Sequence, residues 1–201
     1  LSHTAVVQQR WASEGPDARW LHHYSEAARL AFADRALYIA DPDFVSFNAN
    51  TWRGLLDDTY LQERARLIGA KPMLQAPAGQ VGQISPPPYA AAAAQPEYGT
   101  THLSIIDARG QALAMTSSIE DAFGARQMVQ GFLLNNQLTD FSFVPRDAQG
   151  RPVANRVEPG KRPRSSMTPL LVFDRDTNEL LMSLGSPGGA MIIHYVTRTL
   201  W

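Results

Sequence analysis

The sequence predicts an α+β fold, with helices packed over a mostly antiparallel sheet. Three observations carry that expectation. Before Gly69, two stretches repeat apolar residues at helical spacing. From Leu103 onward, short apolar runs alternate with Asp- and Gly-containing turns, the pattern of strands. Gly185-Ser186-Pro187-Gly188-Gly189 then precedes an apolar run that reads as a closing helix. At 201 residues the chain is long enough for one sizeable core, and length alone makes no case for two domains.

The first helix is expected to begin at Ser25 as N-cap, with Glu26 in the first turn. Ala27, Leu30 and Ala31 open its apolar face, Asp34 interrupts it, and Leu37 and Tyr38 resume it. Asp41-Pro42-Asp43 ends it, because Pro42 lacks a donor and pushes Asp41 out of the helical region. His22 and His23 stand ahead of this helix without an HExxH pattern or matching carboxylates, so they are read as surface or packing residues. A second helix is expected over Leu56 to Ile68, with Leu56, Tyr60, Leu61, Leu67 and Ile68 on one face and Gly69 as its stop. From Lys71 to Tyr98, Pro72, Pro77, Pro86-Pro87-Pro88 and Pro96 forbid a continuous helix or a central strand. Within this stretch Ala90 to Ala94 reads as a short helical turn or a tether. The whole stretch is expected to be a flexible, exposed linker that tolerates a chain break.

Leu103-Ser104-Ile105-Ile106 and Ala112-Leu113-Ala114-Met115-Thr116, joined through Asp107 to Gly110, predict a β-hairpin. Phe132-Leu133-Leu134 predicts a third strand that ends in Asn135-Asn136-Gln137. Asp147 to Gly160 is a Pro- and Gly-containing loop. Leu170 to Phe173 and Leu180 to Leu184 flank Asp174 to Glu179 as a second hairpin, and Ala190 to Leu200 forms the last helix.

Composition excludes several classes. Apolar residues make up 44% and charged residues 18%, which is globular rather than disordered. Eighteen Lys and Arg balance nineteen Asp and Glu, and no basic stripe carries interleaved aromatics, so nucleic acid is not the expected partner. With no cysteine there is no disulfide, no thiolate metal site and no Cys nucleophile, which fits cytoplasm and periplasm equally. No apolar stretch approaches the roughly 20 residues of a membrane helix. No signal-peptide pattern is visible, and both Leu1 and Trp201 read as ends cut from something longer.

Polar and glycine groups gather at the ends of the predicted strands, where a layered fold brings them to one rim. Thr100 precedes the first strand at a junction suited to cutting. There it is either an N-terminal nucleophile activated by its own freed amine or a β-prone residue that opens a strand. Ser118 and Glu120 end the second strand; Asn136, Gln137 and Asp140 follow the third. Asp140 suits a substrate ammonium or a solvated turn. Ser165-Ser166 suits a substrate carboxylate or a turn cap before Met167. Gly188-Gly189 suits an oxyanion, through its N–H groups, or a turn that needs positive φ.

Four strings in order carry a resemblance: Thr100-Thr101-His102 with Ser104, Leu133-Leu134-Asn135-Asn136-Gln137, Lys161-Arg162-Pro163 with Ser165-Ser166-Met167, and Gly185-Ser186-Pro187-Gly188-Gly189. Together with Arg35 and Asp41-Pro42-Asp43-Phe44, they resemble the γ-glutamyltranspeptidase family of N-terminal nucleophile hydrolases, from about Glu26 to Leu200. The resemblance implies a four-layer αββα sandwich, incomplete over this stretch. It also implies a precursor cut before Thr100 into a large-subunit-like region, 1–99, and a small-subunit-like region, 100–201, that stay together as a heterodimer. Thr100 would be nucleophile, its amine the base, Ser118 an orienting hydroxyl, and Gly188 and Gly189 the oxyanion hole. Asn136, Gln137 and Asp140, with Glu120, would hold the α-amino group of a glutathione-like γ-glutamyl donor, and Ser165 and Ser166 its α-carboxylate. Water or an amino acid would accept the acyl group. No metal or cofactor is implied, and export to the periplasm or beyond is expected.

Three departures qualify the resemblance. Glu120 stands where well-known transpeptidases have Asn, which either strengthens ammonium binding or marks the acyl preference of the related cephalosporin and glutaryl acylases. The family's carboxylate-binding Arg belongs to an earlier region than this chain covers, and the family continues past Trp201. An unprocessed, inactive fragment with exposed apolar edges is the remaining alternative.

Overall fold

The computed structural model describes residues 16–47, 49–82 and 88–201. These residues form two compact units, one from the described residues up to Ala93 with Ser142–Arg162, the other from Ala94–Phe141 with Pro163–Trp201. Secondary structure is mixed, as expected: helices dominate the first unit and hairpins the second.

In the first unit, α1 (Ala18–Tyr38) begins about two turns before the expected Ser25. Asp17 is the N-cap, its carboxylate accepting from Trp20 N at 2.7 Å, and Ser25 lies inside the helix. Trp20 is buried and stacks on Tyr24, so the apolar face starts earlier than the aliphatic spacing indicates. His22 and His23 therefore lie within α1, and His22 Nε2 donates to Gly69 O at 2.7 Å. The short α2 (Ala49–Gly54) was not expected. The second predicted helix is shorter than expected. In α3 (Asp58–Ala65) the Asp57 carboxylate accepts from Thr59 N and Tyr60 N, which leaves Leu56 outside and exposed. Leu67 and Ile68 follow in tighter turns, bonding to Arg64 O and Ala65 O.

Leu37, Tyr38, Phe47, Tyr60, Val81, Tyr89 and Ala154 form the core of this unit. Beside it lies a buried polar hub on Asp34, the residue that interrupts the apolar stripe. Its carboxylate accepts from Tyr60 OH at 2.8 Å, Arg64 NH2 at 3.0 Å and Gly79 N at 2.6 Å. Arg64 also donates to Leu30 O and Pro77 O. The tyrosine hydroxyl that donates to Asp34 is held protonated well above its usual range, first by burial and then by that bond.

The expected exposed linker is, over its described residues 71–82 and 88–93, bonded to this unit at several points, while Leu74 and others remain exposed. It is irregular, as its prolines require, yet Met73 N donates to Glu26 Oε2, Ala90 N to Pro152 O and Ala92 N to Ala36 O. Val81, Tyr89 and Ala90 are buried, and Ala90 bridges Val153 rather than forming a helical turn. Irregular backbone can be buried wherever its N–H groups find acceptors, which periodicity does not report. Pro86 and Pro87 lie outside the described residues. Asp41 and Asp43 clasp Arg162, with Arg162 NH2 2.7 Å from Asp41 and 2.9 Å from Asp43.

In the second unit β1 (Thr101–Ile106) and β2 (Ala112–Ser117) form the expected hairpin, Thr101 opposite Ser117. Asp107 closes its turn by accepting from Arg109 N and Gln111 N. The third expected strand shrinks to Phe132–Leu133 (β4), paired with an unexpected β3 (Met128–Val129). β5 (Leu170–Phe173) and β6 (Leu180–Leu184) form the second expected hairpin. The described strands thus make three two-stranded antiparallel sheets rather than one sheet. Two serines link the larger hairpins: Ser104 Oγ donates to Ser183 O, and Ser183 Oγ to Leu113 O. After a tight turn, Gly189–Met191, helix α4 (Ile192–Thr199) packs Ile192 and Val196 on Leu184, Leu170 and Val172. On β1 and β2, Leu103 and Ile105 stand opposite Met115 and Leu113, and all four are exposed.

Candidate active site

The β1–β2 register brings the residues just outside each strand together, so Thr100 and Ser118 share one end of the hairpin. Both hydroxyls donate to Gly99 O, Thr100 Oγ1 from the adjoining residue and Ser118 Oγ at 2.7 Å. Gly99 has φ +48°, and a Cβ there would stand 2.0 Å from Glu120 O, so only glycine fits. Ser118 Oγ in turn accepts from Glu120 N at 2.9 Å.

Glu120 is buried with φ +71°, an unusual backbone for a side-chain-bearing residue. Its Oε1 accepts from Tyr98 N at 3.2 Å, and its Oε2 accepts from Asn136 Nδ2. Asn136 Oδ1 accepts from Asp121 N, so this amide clamps the loop after β2 to the turn Gln137–Asp140. On the opposite wall Ser166 is buried and donates to Glu97 Oε2 at 3.3 Å, while Ser165 Oγ caps its turn by accepting from Met167 N. Gly188 and Gly189 both have positive φ; a Cβ on Gly189 would fall 2.3 Å from Glu97 O, and one on Gly188 2.6 Å from the Tyr195 ring.

One cleft of the second unit collects eight of the ten residues singled out in the sequence: Thr100, Ser118, Glu120, Gln137, Asp140, Ser165, Ser166 and Gly189. Asn136 stands behind it through Glu120, and Gly188 adjoins Gly189. The same walls carry Glu97, Tyr98, Arg164, Met167 and Ile192, which spacing did not mark as site residues. Arg164 has a side chain only 6% exposed, with NH2 4.0 Å from Glu97 Oε1. Its signal in the sequence was a charge set between Pro163 and the serine pair. Among the described residues no group of three or more His, Cys, Asp or Glu could hold a metal ion. No helix of the described residues is long and apolar enough to cross a membrane.

A family model described as gamma-glutamyltranspeptidase matches residues 2–201. The chain is 38% identical over 184 residues to a glutathione hydrolase proenzyme of Bacillus subtilis, covering 88% of this chain and 30% of that one. A glutathione hydrolase proenzyme of Pseudomonas aeruginosa is 36% identical over 189 residues, 91% of this chain and 31% of its own. An acylase ACY 1 proenzyme of a Pseudomonas species is 32% identical over 174 residues, 86% and 27% of the two chains. The chain thus spans about 30% of the length of the curated relatives it matches.

Proposed function

The chain belongs to the gamma-glutamyltranspeptidase family, and from that we propose that its cleft is the γ-glutamyl site of a self-processing hydrolase or transpeptidase. The observation that carries the reading is the Gly99 carbonyl, which accepts from both Thr100 and Ser118 hydroxyls. Such bonds draw electron density from the carbonyl carbon of the Gly99–Thr100 peptide. Attack by Thr100 Oγ1 on that carbon breaks the bond to its own nitrogen and leaves an ester. That nitrogen takes the hydroxyl proton and is freed as the Thr100 α-amine, and water then hydrolyses the ester to a Gly99 carboxylate and the Thr100 hydroxyl.

The free amine takes the Thr100 hydroxyl proton as the oxygen attacks a γ-glutamyl amide. The leaving amine departs protonated, and water or an amino acid takes the acyl group from Thr100. In this reading Ser118 orients the nucleophile, and the N–H groups of Gly188 and Gly189 receive the oxyanion. Glu120, Gln137 and Asp140, with Asn136 behind them, hold the donor's ammonium, and Ser165 and Ser166 its carboxylate. The regions before and after Thr100 become a large and a small subunit, the complete enzyme adopts the four-layer αββα sandwich, and the protein is exported. The relatives' names, glutathione hydrolase proenzymes, support both the substrate class and the cut. The acylase reading is weaker, since that relative is the more distant one.

Intact mass and N-terminal sequencing after incubation test the proposal. A new N-terminus at Thr100 in the parent chain, absent in Thr100→Ala together with all turnover, is the expected result. An uncut parent chain, or turnover that survives in Thr100→Ala, overturns it.

A further inference from the structure

The segment just before Thr100 runs through the cleft and engages the groups assigned above to a donor. Glu97 accepts from Ser166 Oγ at 3.3 Å, and its other carboxylate oxygen lies 4.0 Å from Arg164 NH2. Both side chains are turned away from solvent, Arg164 being 6% and Glu97 11% exposed. Tyr98 N occupies Glu120 Oε1, and the Glu97 carbonyl lies against Gly189. A carboxylate of the chain itself therefore sits on the buried serine and the buried arginine.

Resting on the γ-glutamyl reading, we propose that Arg164 and Ser166 form one carboxylate subsite, filled by Glu97 in the intact chain and by the donor's carboxylate after the cut. Arg164 is then a specificity-determining residue. A guanidinium is charged at every working pH and presents planar, paired donors that match a carboxylate better than a carboxamide or ester. In so shielded a place, a neutral partner leaves the charge poorly compensated. The subsite therefore selects donors with a free carboxylate, and Glu97 is their tethered competitor until cleavage frees the segment that carries it.

The test uses Thr100→Ala chains, which stay intact, so that it reads binding without processing or turnover. L-glutamate is titrated calorimetrically into three of them. With Glu97 present no saturable heat is expected. With Glu97→Ala added, L-glutamate binds. With Arg164→Gln added to that, its affinity falls roughly tenfold to a hundredfold, the range for a lost charged hydrogen bond. Arg164→Lys, which keeps the charge, recovers part of the loss, and matched thermal unfolding of the variants excludes misfolding. Absence of binding after Glu97→Ala, or affinity within twofold after Arg164→Gln, overturns the proposal. Glutarate, which has the carboxylates but no ammonium, separates this proposal from the one it rests on. Glutarate binding as tightly as L-glutamate, yet still dependent on Arg164, keeps the carboxylate subsite and removes the γ-glutamyl assignment.

Discussion

The two units bury polar groups in different ways. In the first, Asp34 is closed: its acceptors are taken by Tyr60, Arg64 and the Gly79 N–H, all from distant segments of the same unit. In the second, the carboxylates of Glu120 and Glu97 lie in the wall of a cleft, where Glu120 accepts from Tyr98 N in the segment next to Thr100 and Glu97, of that same segment, accepts from Ser166. A closed network stabilises one conformation, because removing one member strands a buried charge. An open one holds partners that can be exchanged. The Asp34 network is of the closed kind, and on the function proposed above the cleft of the second unit is of the open kind.

The largest effect that sharpens this contrast is expected from Asp34→Ala. It leaves Arg64 buried without its carboxylate and should cost about 3–5 kcal/mol. Denaturant unfolding followed by the fluorescence of Trp20 and Trp52 reads it; a loss below 1 kcal/mol would mean that the network is not closed. Next in size is Asp140→Asn in the processed enzyme. It should raise KM for a γ-glutamyl donor about tenfold or more, as for a lost charged hydrogen bond, with the cleavage rate at Gly99–Thr100 nearly unchanged. Equal effects on both would return Asp140 to the closed, structural kind.

Acid tests the first unit again. The Arg162 side chain and N–H hold the Asp41 carboxyl well below its usual range. A carboxyl depressed on folding stabilises above its unfolded pKa of about 3.9, and that stability is lost as pH falls through the folded value. Unfolding measured from pH 6 to 2 should therefore show a loss of stability that Asp41→Asn flattens. The smallest effect is expected at Leu103→Lys on the exposed apolar face of β1. Stability should move by no more than about 0.5 kcal/mol, while sedimentation shows less self-association.

What was legible in the sequence was local. Both larger hairpins could be read because alternation and an Asp- or Gly-bearing turn lie within a few residues of each other. The convergence of Thr100, Ser118, Glu120 and the serine pair followed from their positions at strand ends. The docked course of residues 71–82 was not legible, because its bonds run from backbone N–H groups to Glu26 and Asp34, more than forty residues away. Asp34 looked like a flaw in a helical stripe and proved to be the hub of a network, since its partners on α3 and near Gly79 leave no local trace. The start of α1 was missed for a simpler reason: Asp17 and Ser25 are both competent caps, and the aromatic pair Trp20 and Tyr24 decided between them.

The way the chain contributes to its two units has a consequence for any break before Thr100. Ser142–Arg162 comes after that point yet belongs to the first unit, where Arg162 grips Asp41 and Pro152 O receives Ala90 N. Residues 94–99 come before it yet belong to the second, where Gln95 donates to Thr139 O and Phe141 O. Neither product would carry a whole unit. Each polypeptide would complete a unit of the other, Ala154 in the core of the first and Gln95 through hydrogen bonds in the second, so parting them is an unfolding event with an unfolding barrier, and dilution alone would not drive it.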